Sequence, residues 1–531
     1  MKIPYKSRTC PLLSLLLILA SAAFSQTPTV TAVVNTDSFT TALCPGILAT
    51  VFGSNFGTDP TKAQVMVGGQ PAYILTGAFF ATQFTVQIPF GIAAGPQTLS
   101  VTIAGVQASG FSITLSAVAP AISTLNQAGT ELGVFTDAKT GNVLTVANPG
   151  TLGETLSTYA IGLGVTTPPT STGLATTDNP VTPLPTITVG GVNCKVLAAV
   201  VVPNYAGLYQ INFTLPSSGV QGTVPFLITV GGQSSPSGVT IPIVGVSAVA
   251  NNASFANPGT IAPGSIASVF ANGLGSATQL ETGGVFPATT AEGFQITFNG
   301  IPAPIFHLIP PVAPTAASPE GSPGQIDLEV PNSLPTSGTV NVQLTTSTTN
   351  YANYTLNMVP ASPGLYRFTD PKNGNQYVIT QFANSAWVVL PTAATADIGL
   401  PACTANTSAS VECGEPANIG DYLVIYLTGL GLATVNGAPG GATLPLGQNP
   451  PASGSPLYET PTMPTVTIGG INATPLFSGL VPGYAGEYQI DVQVPAGVAS
   501  GDSVPVAVTM MGQSDTANIS IQPTRVTPPN Q

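Results

Sequence analysis

The sequence is poor in almost everything that catalysis and ionic recognition use. Only 6% of its 531 residues are charged, and it holds one histidine, one tryptophan and five cysteines. A single histidine excludes a multi-histidine zinc site, and no Cys-x-x-Cys pair replaces it. A Ser-His-Asp triad would have to use His307, in the apolar stretch Pro304-Ile-Phe-His-Leu-Ile-Pro310, and no Gly-x-Ser-x-Gly elbow supplies the nucleophile. Nine basic residues stand against 21 acidic ones. That balance excludes a nucleic-acid binder and disfavours adhesion to anionic lipid. Asp137, Asp370 and Asp421 are scattered, so no calcium loop is evident. The Gly-Leu-Gly pieces lack the third glycine of a dinucleotide fingerprint. These absences predict no catalytic residues, no metal and no cofactor.

The chain opens like an export signal. Lys2, Lys6 and Arg8 precede an apolar run from Leu12 to Ala23, and Ala23-Phe-Ser25 offers small residues for cleavage before Gln26. Residues 1–25 are therefore read as a signal peptide. Its removal leaves six basic and 21 acidic residues, a net charge of −15. No later stretch of 18 apolar residues exists, so no membrane span is expected in the mature chain. Four cysteines remain, and export permits disulfides. Cys403 and Cys413 bracket the short polar segment Thr404 to Glu412 and form the expected pair. Cys44 and Cys194 lie in different expected domains, which leaves their pairing open; the alternative is that both are small buried hydrophobes.

What the sequence has is glycine, proline and β-branched residues. Glycine (58) and proline (52) are frequent, yet 43% of residues are apolar, which speaks against disorder. Short strands and many turns satisfy both observations. One strand-like phrase occurs four times: Gln83-Phe-Thr-Val-Gln-Ile-Pro89, Gln210-Ile-Asn-Phe-Thr-Leu-Pro216, Gln325-Ile-Asp-Leu-Glu-Val-Pro331 and Gln489-Ile-Asp-Val-Gln-Val-Pro495. Its period-two alternation predicts a strand with one face in a core and the other wet. In the second copy the inward set is Ile211, Phe213 and Leu215. Proline ends each phrase because it gives no N–H to the ladder. Glycine follows at Gly95, Gly222, Gly338 and Gly501, each opening another alternating run. A second phrase precedes each of these: Val65-Met-Val-Gly-Gly69, Ile187-Thr-Val-Gly-Gly191, Ile296-Thr-Phe-Asn-Gly300 and Val466-Thr-Ile-Gly-Gly470. Gly-Gly and Asn-Gly accept the positive φ of tight hairpins.

Spacings above 100 residues between the copies fit separate sandwiches rather than a solenoid. The predicted fold is all-β, a tandem array of about four immunoglobulin-like β-sandwich domains. They are placed at 26–117, 118–246, 247–360 and 361–523, with a disordered tail at 524–531. The array is also a duplicated pair of unlike modules. Modules one and three open with Asn35-Thr-Asp-Ser-Phe39 and Asn252-Ala-Ser-Phe255. Modules two and four share Gly162-Leu-Gly164 and Gly429-Leu-Gly431, then Pro203-Asn-Tyr-Ala-Gly-Leu-Tyr-Gln210 and Pro482-Gly-Tyr-Ala-Gly-Glu-Tyr-Gln489.

Through Pro45-Gly46, Val51-Phe-Gly-Ser-Asn-Phe-Gly57, Val67-Gly-Gly69 and Val86-Gln-Ile-Pro89, module one resembles the IPT/TIG class of immunoglobulin-like domains. Both halves resemble the uncharacterised Solibacter-type C-terminal domain of exported acidobacterial proteins. The matching residues are Asn252-Ala-Ser-Phe255 with Ala262-Pro-Gly264, Ser322-Pro-Gly-Gln-Ile326, Gly429-Leu-Gly431, Gly469-Gly470 and Tyr484-Ala-Gly-Glu-Tyr-Gln489. The resemblance implies an extracytoplasmic β-sandwich and brings no activity, because these positions are turn glycines, strand-ending prolines and core hydrophobes. The first half departs from the pattern at Thr36-Asp37 and Cys44.

Two sets of residues bear on function. Asp327 with Glu329, and Glu487 with Asp491, have the even spacing that puts two carboxylates on one strand face. The first half carries Leu208 and Asn212 where the second has Glu487 and Asp491, so these acids read as solvent-face residues. Tyr205 with Tyr209, and Tyr484 with Tyr488, read either as a ligand-contacting aromatic platform or as corner residues whose hydroxyls meet a backbone carbonyl. The resulting expectation is a non-catalytic secreted or cell-surface protein, a spacer, adhesion or envelope-interaction module whose partner is an extracellular protein or polysaccharide. The competing expectation is a carbohydrate-binding or carbohydrate-active exported protein. Long loops such as Ala433 to Glu459 are the expected contact surface.

Overall fold

The computed structural model describes residues 26–522 except 256–259, 276–279, 282–288, 316–317, 319–320, 348 and 405. The expected signal peptide and the C-terminal tail at 524–531 lie outside the described residues. Within them the chain is all-β, with one six-residue α-helix, Thr392–Asp397, and one 3-10 turn, Pro60–Lys62. Its apolar side chains gather into four large cores. They run from Val33 to Ile161, Ile122 to Ile243, Val246 to Met358, and Ala361 to Ile521.

Each of the four Gln-to-Pro phrases is a central strand: Gln83–Gln87, Leu208–Thr214, Gly324–Glu329 and Tyr488–Gln493. Each pairs antiparallel with the same two kinds of neighbour. One is an earlier strand, respectively Leu48–Ser54, Thr155–Ile161, Ile266–Asn272 and Tyr422–Thr428. The other is Tyr73–Phe79, Val192–Val201, Ile305–Ile309 or Pro475–Leu480. The opposite layer repeats as well. The strands of the second phrase, Ala63–Val67, Thr186–Val189, Phe294–Phe298 and Thr465–Ile468, pair with Gly95–Ile103, Gly222–Val230, Gly338–Thr346 and Gly501–Met510. The four glycines picked out by spacing are thus the first residues of these long strands.

Parity places the core. In Leu208–Thr214 every second residue is buried, and Phe213 lies against Phe135 and Phe226 with ring centroids 6.4 and 5.4 Å apart. Leu215 continues the buried set beyond the strand. The hairpin glycines hold positive φ in pairs, Gly190 at 55° and Gly191 at 82°, with Asn299 at 48° and Gly300 at 80° in the third copy. This is the geometry of a two-residue primed turn.

The second module differs from the others. Its strands form one continuous ten-stranded sheet, because Val192–Val201 pairs first with Thr186–Val189 and then with Leu208–Thr214. After the matching hairpin turn the other modules have proline, at Pro71, Pro302 with Pro304, and Pro475. Proline cannot donate to a ladder, so there the chain passes from one layer to the other as two short strands. Val192-Asn-Cys-Lys-Val has none, and one long strand with a bulge at Val196/Ala198 serves both layers.

Cys403 and Cys413 are joined by a disulfide with Cα atoms 5.1 Å apart. Cys44 is buried and Cys194 half-buried, both as free thiols. Burial pushes the Cys44 thiol up to about 12, so it is inert at neutral pH. Trp387 is buried in the fourth core and donates its indole N–H to Ser408 O at 3.0 Å.

Candidate functional site

The two members of each tyrosine pair have opposite fates. Tyr209 and Tyr488 share the parity of Ile211 and Ile490 and are each 1% exposed. Their hydroxyls donate to Gly164 O and Gly431 O, the last glycines of the two Gly-Leu-Gly pieces. Burial drives both phenols far above their usual range. They are corner residues. Tyr205 and Tyr484 sit four residues earlier, in the turn ahead of the strand, and are 60% and 51% exposed. Only these two face solvent.

The Gly-Leu-Gly pieces pack against the linker residues through which the modules join in pairs. A Cβ on Gly162 would lie 2.1 Å from Ala119 O, and one on Gly429 would lie 2.0 Å from Ser362 O. Asn35 and Asn251 bind the same joints, donating to Ala119 O at 3.4 Å and Ser362 O at 2.8 Å, while their Oδ1 atoms accept from the N–H groups of the next turn. The long loops close over them. In the first pair Gly173 N donates to Gln87 Oε1 at 2.7 Å and Phe90 N to Thr172 Oγ1 at 3.0 Å. In the second, Gly447 N donates to Glu329 Oε2 at 2.8 Å and Asn332 donates to Leu444 O at 2.6 Å. The 433–459 loop, expected as a free contact surface, is therefore partly spent on its own neighbour.

The carboxylates depart from expectation too. Asp327 and Glu329 are 8% and 3% exposed, not solvent-facing. The alternation marks which face of a strand is outside its own sandwich, and here the neighbouring sandwich covers that outside. Asp327 accepts from Ser268 Oγ at 2.7 Å and Gln325 Nε2 at 2.8 Å, and lies 3.3 Å from His307 Nδ1. Glu487 and Asp491 are half-buried, and burial raises both carboxyls. Burial pushes the Tyr366 phenol far above its usual range, and the charges of Glu487 and Asp327 add to that.

Glu487 and Asp491 belong to the outward sheet face of the fourth module, where Val424, Tyr426, Phe477 and Gln489 are half-buried. Tyr426 stands opposite Gln489, and Asp491 lies between Val424 and Phe477. The Tyr426 hydroxyl donates to Gln381 Oε1 at 2.8 Å. The Phe477 ring leans over Gly479, whose missing Cβ would come 2.9 Å from it. Burial raises the Tyr426 phenol first, and the neighbouring Glu487, Asp491 and Tyr484 add to it. The face therefore offers aromatic surfaces edged by amide and carboxyl oxygens. The first half's matching face carries Tyr159, Gln210, Asn212 and Leu208, with no acid on its central strand.

Sequence reasoning singled out Tyr484, Glu487 and Asp491 but missed Tyr426 and Phe477, which come from neighbouring strands. Their position outside the inward parity was the available signal. Among the described residues no group of three or more His, Cys, Asp or Glu could hold a metal. Two surface hollows, of about 390 and 570 Å³, are lined by residues such as Thr31, Phe111, Gln97 and Ser112, with no acid, base or cysteine. No helix among the described residues is long and apolar enough to cross a membrane.

No family model and no curated protein matches the chain. Solved structures do match. A surface glycan-binding protein from Prevotella bryantii is 11% identical, with 50% of this chain and 56% of that chain covered and a TM-score of 0.15. Domains 5–6 of the S-layer protein SbsC are 14% identical, covering 41% of this chain and 98% of that one, with a TM-score of 0.18. An I-band fragment of titin is 9% identical, covering 77% and 97%, with a TM-score of 0.12. The likeness is one of fold class, and the match spans little more than half the Prevotella protein.

Proposed function

We propose that the protein is an exported, non-catalytic chain of paired sandwiches that binds a neutral polysaccharide on the outward sheet face of its fourth module. The carrying observation is the grouping of Tyr426 and Phe477 with Gln489 and Asp491 on one face, with half-exposed Tyr484 in the turn that leads into their central strand. A sugar ring has apolar C–H faces and a rim of hydroxyls. Aromatic faces suit the first, and amide and carboxyl oxygens suit the second. The mature charge of −15 repels polyanions, so a neutral polymer is favoured. The buried pair joints support the spacer part of the reading, since they set each pair as a unit that presents this face.

Affinity electrophoresis of the mature chain through gels containing neutral polysaccharides tests the proposal. Tyr484→Ala is expected to weaken the retarding interaction at least about tenfold, the scale of losing an aromatic anchor. Tyr205→Ala, ahead of the first pair's central strand with its lack of acids, is expected to stay within about threefold of wild type. Equal retardation of all three proteins, or none on any neutral polymer, would refute it.

A further inference from the structure

The two pair joints are built alike except at one buried position. Gln87 and Glu329 occupy the fifth residue of the repeated strand phrase, and each accepts the N–H of a glycine in the covering loop, Gly173 or Gly447. Gln87 does a second thing. Its Nε2 donates to Gly46 O at 3.1 Å. Gly264 is the counterpart of Gly46: both follow proline, both have positive φ (80° and 74°), and both donate their N–H at 2.9 Å to the residue after the phrase strand, Ile88 or Val330. Gly264 lines the same cavity of about 20 Å³ as Glu329, a space for about one water. A carboxylate there sets an oxygen where the first joint has an N–H donor. A carboxylic acid restores the donor.

We propose that Glu329 is a protonation latch: as the neutral acid it mimics Gln87 and closes the joint between the third and fourth modules, and its ionisation loosens that joint while the first stays fixed. Burial favours the neutral acid and pushes this carboxyl up to about 7, against the pull of the Gly447 N–H. Among the residues lining the cavity, Tyr488 is the other ionisable group, and its hydroxyl is engaged with Gly431 O. Leu432, Ala433, Thr443, Leu444 and Leu480 carry no charge, so nothing there compensates an ionised Glu329. The sign follows from linkage. The folded state holds the proton more tightly than the unfolded one, so the latch is fully closed below about 4.5. Its contribution is lost as pH rises towards 7 and is flat above.

Hydrogen exchange of residues 443–448 in the full mature chain reads the latch, with Glu329→Gln compared at each pH. Near pH 4.5 wild type and E329Q are expected to agree within about twofold. At pH 8.5 the wild-type segment is expected to exchange at least about tenfold faster, under a ceiling near 300-fold set by the shift from 4.5 to about 7. Gln87→Glu is the reciprocal variant and gives residues 170–175 the same pH dependence, whether or not E329Q folds. Agreement of wild type and E329Q at both pH values, faster exchange in E329Q, or a pH-indifferent Q87E segment would each overturn the proposal. None of these readouts depends on what the outward face binds.

Discussion

Phe213→Ala is expected to destabilise the second module by about 3–5 kcal/mol, the range for removing a large aromatic from a packed core. Phe213 is completely buried, and its ring meets both Phe226 and Phe135. It also lies on the central strand, so a cavity there touches both layers of the folded-over sheet. The chain's one tryptophan, Trp387, lies in the fourth core and gives an internal control. Calorimetry should show one transition moving down while the transition seen by Trp387 fluorescence stays within about 0.5 kcal/mol of wild type. A shift of both together would mean that the four cores do not melt as separate units.

Gly429→Ala should have a comparable effect by a different route. Gly429 has φ +83°, which side-chain-bearing residues rarely adopt, and an added Cβ would press on the Ser362 carbonyl. Backbone cannot step aside as a side-chain tip can, because Ser362 O already accepts from Asn251. A loss of at least about 2 kcal/mol is expected, read directly as an earlier Trp387 transition in denaturant. Gly440→Ala supplies the control: φ is +68° but nothing lies within 4 Å of the new Cβ, so the cost should be about 1 kcal/mol. Equal costs at the two glycines would remove the joint from the explanation.

Local order was readable where one strand sees one core. Period-two alternation identified the four central strands, and the trailing glycines marked the starts of their long partners. The start of the strand separates Tyr209 from Tyr205, because Tyr209 keeps step with Ile211 and Phe213 inside it while Tyr205, of the same parity, precedes it. What alternation cannot carry is the environment of the outward face. Gln87 and Glu329 look like wet residues because they take the outward parity of their strands. They are buried because loops 164–184 and 433–459 fold back over them, and no spacing in either loop encodes that docking. Likewise, Tyr426 and Phe477 join Gln489 and Asp491 only through cross-strand register, which is set by pairing between strands far apart in sequence. The unbroken strand of the second module was readable in principle, from a proline missing where the other three copies have one.

The acid-edged face of the fourth module is proposed to bind and to do no chemistry. The most direct test is to incubate the mature chain with a neutral polysaccharide that retards it and to count new reducing ends. Saturable binding with reducing ends no higher than in buffer is expected. Steady release of reducing ends that disappears in Glu487→Gln with Asp491→Asn would contradict it.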